Sequence, residues 1–239
     1  MTRSRLSGGP GMAECQRQRS AQVPAGGEGE DASVGGAGRD RLALSPERPP
    51  GTPLPTVGLG ARRVLDFIAR AERTTPEFAG RFGFASDYDV PFNYGRSAPP
   101  TAKPLSQMTL GEVAGHQQRM KAGGSTAVGR YQVKASTLGE LRDKHGLGNG
   151  RLFDGALQDQ LGRSLMRNRK YDAYCVGQAP ADEVMDALAS EWASLPMADG
   201  LSRYGFKGRR QPVRATRSEL KAVLDEACRL DFGPPPARR

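Results

Sequence analysis

Apolar side chains recur every three or four positions along most of the chain after residue 60, the period of an amphipathic helix. The first such run covers 62–72, where Leu65, Ile68 and Glu72 share one face while Arg63, Asp66 and Arg70 point elsewhere. Thr109 with Glu112, Thr137 with Glu140 and Thr216 with Glu219 have the spacing of capping boxes, in which each side chain satisfies a free backbone N–H of the other. They predict helices over 110–120, over 138–144 closed by Gly146, and over 220–230 with Leu220, Val223, Leu224 and Ala227 as the apolar stripe. Leu157, Leu161 and Leu165 follow Asp154, a candidate N-cap. Pro180 opens another helix, with Val184, Met185, Leu188 and Trp192 on one face. Alternating patterns are nearly absent, with Tyr131-Gln132-Val133 as one short candidate. Any β-structure is expected as a small hairpin between 83 and 108.

The pattern therefore predicts a mainly α domain over 61–230, with 231–239 as a flexible end. Residues 1–60 carry neither period. They hold Gly8-Gly9-Pro10-Gly11, Gly26-Gly27, Gly35-Gly36 and Thr52-Pro53-Leu54-Pro55, with too few large apolar residues to bury a core, and so predict a disordered tail. No apolar run is long enough to span a membrane or to serve as a secretory signal, which predicts synthesis in the cytoplasm without membrane insertion.

The net charge of +9 suits an anionic partner. Its local concentration at Arg203, Lys207, Arg209, Arg210, Arg214 and Arg217 lacks the interleaved aromatics of a base-stacking surface, which argues against nucleic acid. Two histidines, His116 and His145, and three cysteines, Cys15, Cys175 and Cys228, show no metal-ligand spacing. Neither a metal nor another cofactor is expected. The odd cysteine number, with Cys15 in the tail, argues against a disulfide framework.

Glu72 is the candidate for chemistry. A carboxylate on a core-facing stripe loses hydration, which disfavours its charged form, and its place in the last turn sets it against the negative end of the helix dipole. A carboxylic acid kept protonated near neutral pH is what general-acid cleavage of a glycosidic bond needs. The irregular stretch Ser86-Asp87-Tyr88-Asp89-Val90-Pro91-Phe92-Asn93-Tyr94-Gly95 has the composition of a loop that lines a site.

Four segments then occur in a recognisable order: 65–72 ending in Glu72, Tyr88-Asp89-Val90, Ser125-Thr126-Ala127-Val128-Gly129-Arg130-Tyr131-Gln132, and Glu191-Trp192-Ala193-Ser194-Leu195-Pro196. Over residues 61 to about 206 the chain resembles the endolysins of the bacteriophage lambda lysozyme family. The resemblance implies a lysozyme-like α+β fold and a lytic transglycosylase acting on peptidoglycan glycan strands, with Glu72 as the single acid and base. It also implies a holin for passage across the inner membrane to the periplasmic cell wall. Asp89, Gly129, Tyr131, Gln132 and Ser194 fall in the matching segments as candidate substrate contacts. Asp89 orders the cleft or serves as a hydrogen-bonding strut. Gly129 allows close backbone approach, Tyr131 forms an aromatic wall or packs in the core, Gln132 offers an amide, and Ser194 reaches the cleft edge. Trp192 reads as core.

Two departures stand out. Arg73 follows Glu72 where the family usually has glycine, and an inward guanidinium would work against a protonated acid. The stretch from Ser106 to Gly124 is longer than in the family and could cover part of the cleft or meet a partner. The same scaffold also admits a hydrolytic muramidase, or a non-catalytic murein-binding or virion structural protein.

Overall fold

The computed structural model describes residues 51–96, 99–206 and 209–233. The tail expected over 1–60 lies outside them except for its last ten residues, and those are packed against the domain. Thr52 donates its N–H to the Lys144 carbonyl at 2.9 Å, and His145 links the Thr52 carbonyl (2.6 Å) to the Ser164 hydroxyl (2.8 Å). Leu54 and Val57 lie against the core.

Helix α1 spans Leu59–Glu72 and starts before the boundary its sequence suggested. It buries Val64, Leu65 and Ile68 completely and packs most extensively on the last helix, α8 (Arg217–Phe232). The crossing needs glycine, since a Cβ on Gly60 would overlap the Ala227 carbonyl. Close approach also brings the Asp231 carboxylate to the first turn of α1. It accepts the N–H groups of Gly60 and Ala61, each at 2.7 Å, and the Tyr171 hydroxyl at 3.2 Å. Residues 231–233, expected as part of a loose end, thus close the domain. Residues 234–239 lie outside the described part.

Between these two come α2 (Pro76–Arg81), α3 (Leu110–Met120), α4 (Ala135–His145), α5 (Gly155–Asn168), α6 (Tyr171–Cys175) and α7 (Ala181–Ala189). The capping boxes at Thr109 and Thr216 form as the sequence predicted, and Asp154 caps α5 by accepting from Leu157 N–H at 2.8 Å. The Thr137–Glu140 box does not form, because the helix begins two residues before Thr137. Thr126 takes the Ala135 N–H at 3.0 Å, so a side chain from outside the helix satisfies its first turn. The helix ends at Gly146 in left-handed conformation, as expected. Pro180 is the N-cap of α7, and Trp192 lies beyond its end yet is buried.

No hairpin forms among the described residues of 83–108; three short 3₁₀ turns occupy that stretch, at Asp87–Asp89, Phe92–Gly95 and Leu105–Gln107. The β-structure there is a set of single bridges, Pro91 to Val128 and Val128 to Val133. The two strands, β1 (Gly205–Phe206) and β2 (Arg209–Arg210), form a minimal antiparallel pair further on. The domain is mainly helical around one core. Cys175 and Cys228 form a disulfide that ties α6 to α8. The odd cysteine number, with Cys15 in the tail, argued against it; the two partners, separated by 53 residues, meet only once α8 has packed.

Candidate active site

The C-terminal end of α1 is held from two sides. Thr74 donates its hydroxyl to the Arg130 carbonyl at 2.6 Å, fixing the helix end to the loop that follows Ser125. Tyr131 in that loop receives the indole N–H of Trp192 on its carbonyl at 3.0 Å, which brings the 191–195 segment alongside. Glu72 therefore sits where three segments distant in sequence converge.

Its carboxyl oxygen Oε1 accepts the Ser194 hydroxyl at 2.6 Å and the Ser194 N–H at 3.4 Å. Burial raises the Glu72 pKa above its usual 4.5. The two Ser194 bonds, Arg214 and Lys134 pull the other way without cancelling it. The sequence argument for an uncomfortable carboxylate rested on the core-facing stripe, and the side chain is indeed largely enclosed.

Glu72 opens onto a cleft of about 390 Å³. It is lined by Phe92, residues 124–127, Gln132 and Lys134 together with Glu191, Trp192, Ala193, Tyr204 and Gln211. The long 106–124 stretch supports the 126–133 part from behind. Gln117 of α3, fully buried, donates its amide N–H groups to the carbonyls of Thr126 (2.8 Å) and Val133 (3.0 Å). Lys121 and Gly124, at the end of that stretch, reach the cleft itself.

The candidates from sequence fall in different places. Ser194 touches Glu72, and Gln132 lines the cleft in left-handed conformation (φ +49°). Its amide N–H groups are taken by the carbonyls of Val90 and Gly129, at 3.1 and 2.9 Å. Tyr131 is core: it is 1% exposed and donates its hydroxyl to Asp159 at 2.6 Å, and burial pushes its phenol pKa far up. Gly129 (φ +76°) lies against the buried Gln158 amide, where a Cβ would overlap Gln158 Oε1, so its smallness serves packing.

Asp89 is absent from this cleft. It is buried, accepts the Ser106 N–H at 2.8 Å, and borders a separate cavity with Pro91, Pro104 and His116. It is therefore a strut for the insertion.

Behind the loop, Asp159 accepts the hydroxyls of Tyr88 (2.9 Å) and Tyr131 and pairs with Arg62 at 2.7 Å. Arg130 joins Asp66 (2.8 Å), Asp87 (2.9 Å) and the Tyr88 hydroxyl (3.2 Å). The network makes Gly129–Tyr131 rigid where it faces α1.

Among solved structures, the chain is similar to bacteriophage lambda lysozyme complexed with a chitohexasaccharide. The likeness has 23% sequence identity, spans 70% of this chain and 93% of that one, and has a TM-score of 0.44. No family model and no curated protein matches the chain.

Sequence reasoning missed Lys121, Lys134, Glu191, Tyr204 and Gln211 as cleft residues. They come from turns and loops whose course no periodicity dictates. Arg73 takes the left-handed cap position after α1 (φ +58°, ψ +44°) and sits over the Phe78 ring at 5.6 Å. The cations that weigh most on Glu72 are Arg214 and Lys134. Glycine suits such a cap, which accounts for the residue expected there. Among the described residues, no group of three or more His, Cys, Asp or Glu side chains could hold a metal, and no helix is long and apolar enough to cross a membrane.

Proposed function

We propose that this domain cleaves β-1,4 glycosidic bonds of peptidoglycan as a lytic transglycosylase, with Glu72 as acid and then base. The observation that carries the reading is Glu72 itself: a carboxyl with a raised pKa, held by Ser194, opening onto a cleft. Protonated Glu72 gives its proton to the oxygen linking N-acetylmuramic acid to N-acetylglucosamine. As carboxylate it then takes the proton from the muramic 6-hydroxyl, whose oxygen attacks the anomeric carbon and closes a 1,6-anhydro ring. One acid suffices, and the nearby loop carboxylate Asp89 is outside the cleft.

A hydrolytic muramidase is the second reading. It is favoured by Glu191, a carboxylate that lines the same cleft and is ion-paired with Arg169 at 2.6 Å, and which could order a water opposite Glu72. The non-catalytic alternative drew on Arg73, whose guanidinium lies over the Phe78 ring at 5.6 Å. Glycan strands are the partner in either catalytic reading, and delivery by a holin belongs to the same proposal.

Mass analysis of fragments released from purified peptidoglycan separates the readings. A transglycosylase gives muropeptides lighter by one water, and Glu72→Gln loses about 10²–10⁴-fold in rate. Ordinary reducing ends mean hydrolysis. A folded wild type that releases nothing sinks both.

A further inference from the structure

Four charged side chains line the cleft among the described residues: Glu72, Lys121, Lys134 and Glu191. Glu191 is matched by Arg169 at 2.6 Å. Glu72 is biased by burial toward its neutral form. Among the described residues neither lysine makes an ion pair, and Lys134 acts on the Glu72 carboxyl itself. Lys134 is also held in place, its ammonium 4.6 Å from the centroid of the Tyr204 ring. The ring is anchored in turn by a hydrogen bond from its hydroxyl to the Ser190 carbonyl. Lys134 is the N-cap residue of α4, so the positive end of that helix adds to the field.

We infer that Lys134, braced on Tyr204, together with Lys121, forms an anion subsite beside Glu72 that takes a carboxylate carried by the glycan. The inference rests on the reading of the cleft as a glycan site and deepens it. A polymer of N-acetylglucosamine alone has no group that answers two ammonium charges. A muramyl residue carries a lactyl ether, whose carboxylate is free on bare strands and is joined on substituted strands to a peptide stem bearing carboxylates of its own. The shared chemistry is a carboxylate on the 3-position substituent. The subsite therefore makes the cleft selective for muramyl-containing strands over neutral ones.

The test uses the full chain carrying Glu72→Gln, which removes any effect Lys134 exerts through the acid. Binding is measured by calorimetric titration with three probes of matched length: strands with peptide stems, strands stripped to free lactyl carboxylates, and chitohexaose. The subsite predicts tighter binding of the anionic probes and a loss of roughly five-fold for them on adding Lys134→Gln. It also predicts a smaller change for chitohexaose, recovery with Lys134→Arg, and erosion of the difference by salt. The anionic probe with the larger loss identifies the carboxylate. Equal loss on all three probes, or none on any, overturns the subsite. Wild-type cleavage of peptidoglycan is followed in parallel. Cleavage without charge selectivity sinks the subsite alone, and selectivity without cleavage sinks the catalytic reading alone.

Discussion

The bond between the two ends of the domain is open to direct measurement through Asp231→Ala. The change removes the acceptor of two N–H groups, at Gly60 and Ala61, each 2.7 Å from the carboxylate. Both residues are buried while Asp231 itself is half-buried, so the donors regain water only in part. A buried donor left unmatched costs about 1–3 kcal/mol, and the favourable interaction of an anion with a helix start adds about 0.3–1 kcal/mol. With two donors the sum is a loss of about 2–7 kcal/mol. In a domain of this size each kcal/mol moves the midpoint by about 2–4 °C, so a fall on the order of 10 °C is expected. Urea unfolding followed by helical circular dichroism reads the effect. Asp231→Asn, which keeps one acceptor and loses the charge, falls between the two. A chain ended after Leu230 behaves like Asp231→Ala or worse. If Asp231→Ala lies within about 0.5 kcal/mol of wild type, the carboxylate does not cap α1 and the reasoning is refuted.

Other outcomes follow from the same geometry. Because folding raises the Glu72 pKa, the folded state bears a cost of ionisation above the usual 4.5 and none well below it. Glu72→Gln is thus more stable than wild type at neutral pH, and the advantage fades as pH drops toward and past that value; thermal melts from acid to neutral pH show this, and a pH-independent difference contradicts it. Arg73→Gly relieves a left-handed cap worth about 1 kcal/mol and gives up a cation–π contact worth about 0.5 kcal/mol. It should be slightly more stable in denaturant with cleavage retained, and a loss of cleavage would tie Arg73 to the chemistry. Opening Cys175–Cys228, which closes a loop across a separation of 53 residues, should cost about 4 kcal/mol, seen as a lower unfolding midpoint in dithiothreitol that Cys228→Ser reproduces without reductant.

The helices were legible because their signals are local. Thr109 and Thr216 meet their glutamates three residues away, and the stripe in α1 needs only its own periodicity. Thr137 misled because its competitor for the first turn, Thr126, approaches from nine residues upstream of Ala135. Glu72 was legible for the same reason as its helix: the face that made it odd is the face that is buried. Asp89 and Tyr131 looked like substrate contacts because they lie in the segments that carry the family resemblance. Those segments also hold the struts behind a site, and residue type does not separate a strut from a contact. Lys134 and Glu191 become visible only when chain segments far apart in sequence are folded into one cleft.

The tie at Asp231 brings the first turn of α1 and the last turn of α8 within one hydrogen bond of each other. The helix that delivers Glu72 is thus clasped at both ends, by Asp231 at its first turn and, just past its last, by Thr74 on the Arg130 carbonyl. A rod clasped twice carries a disturbance along its length, so a change at the far end of α8 reaches the acid without touching the cleft.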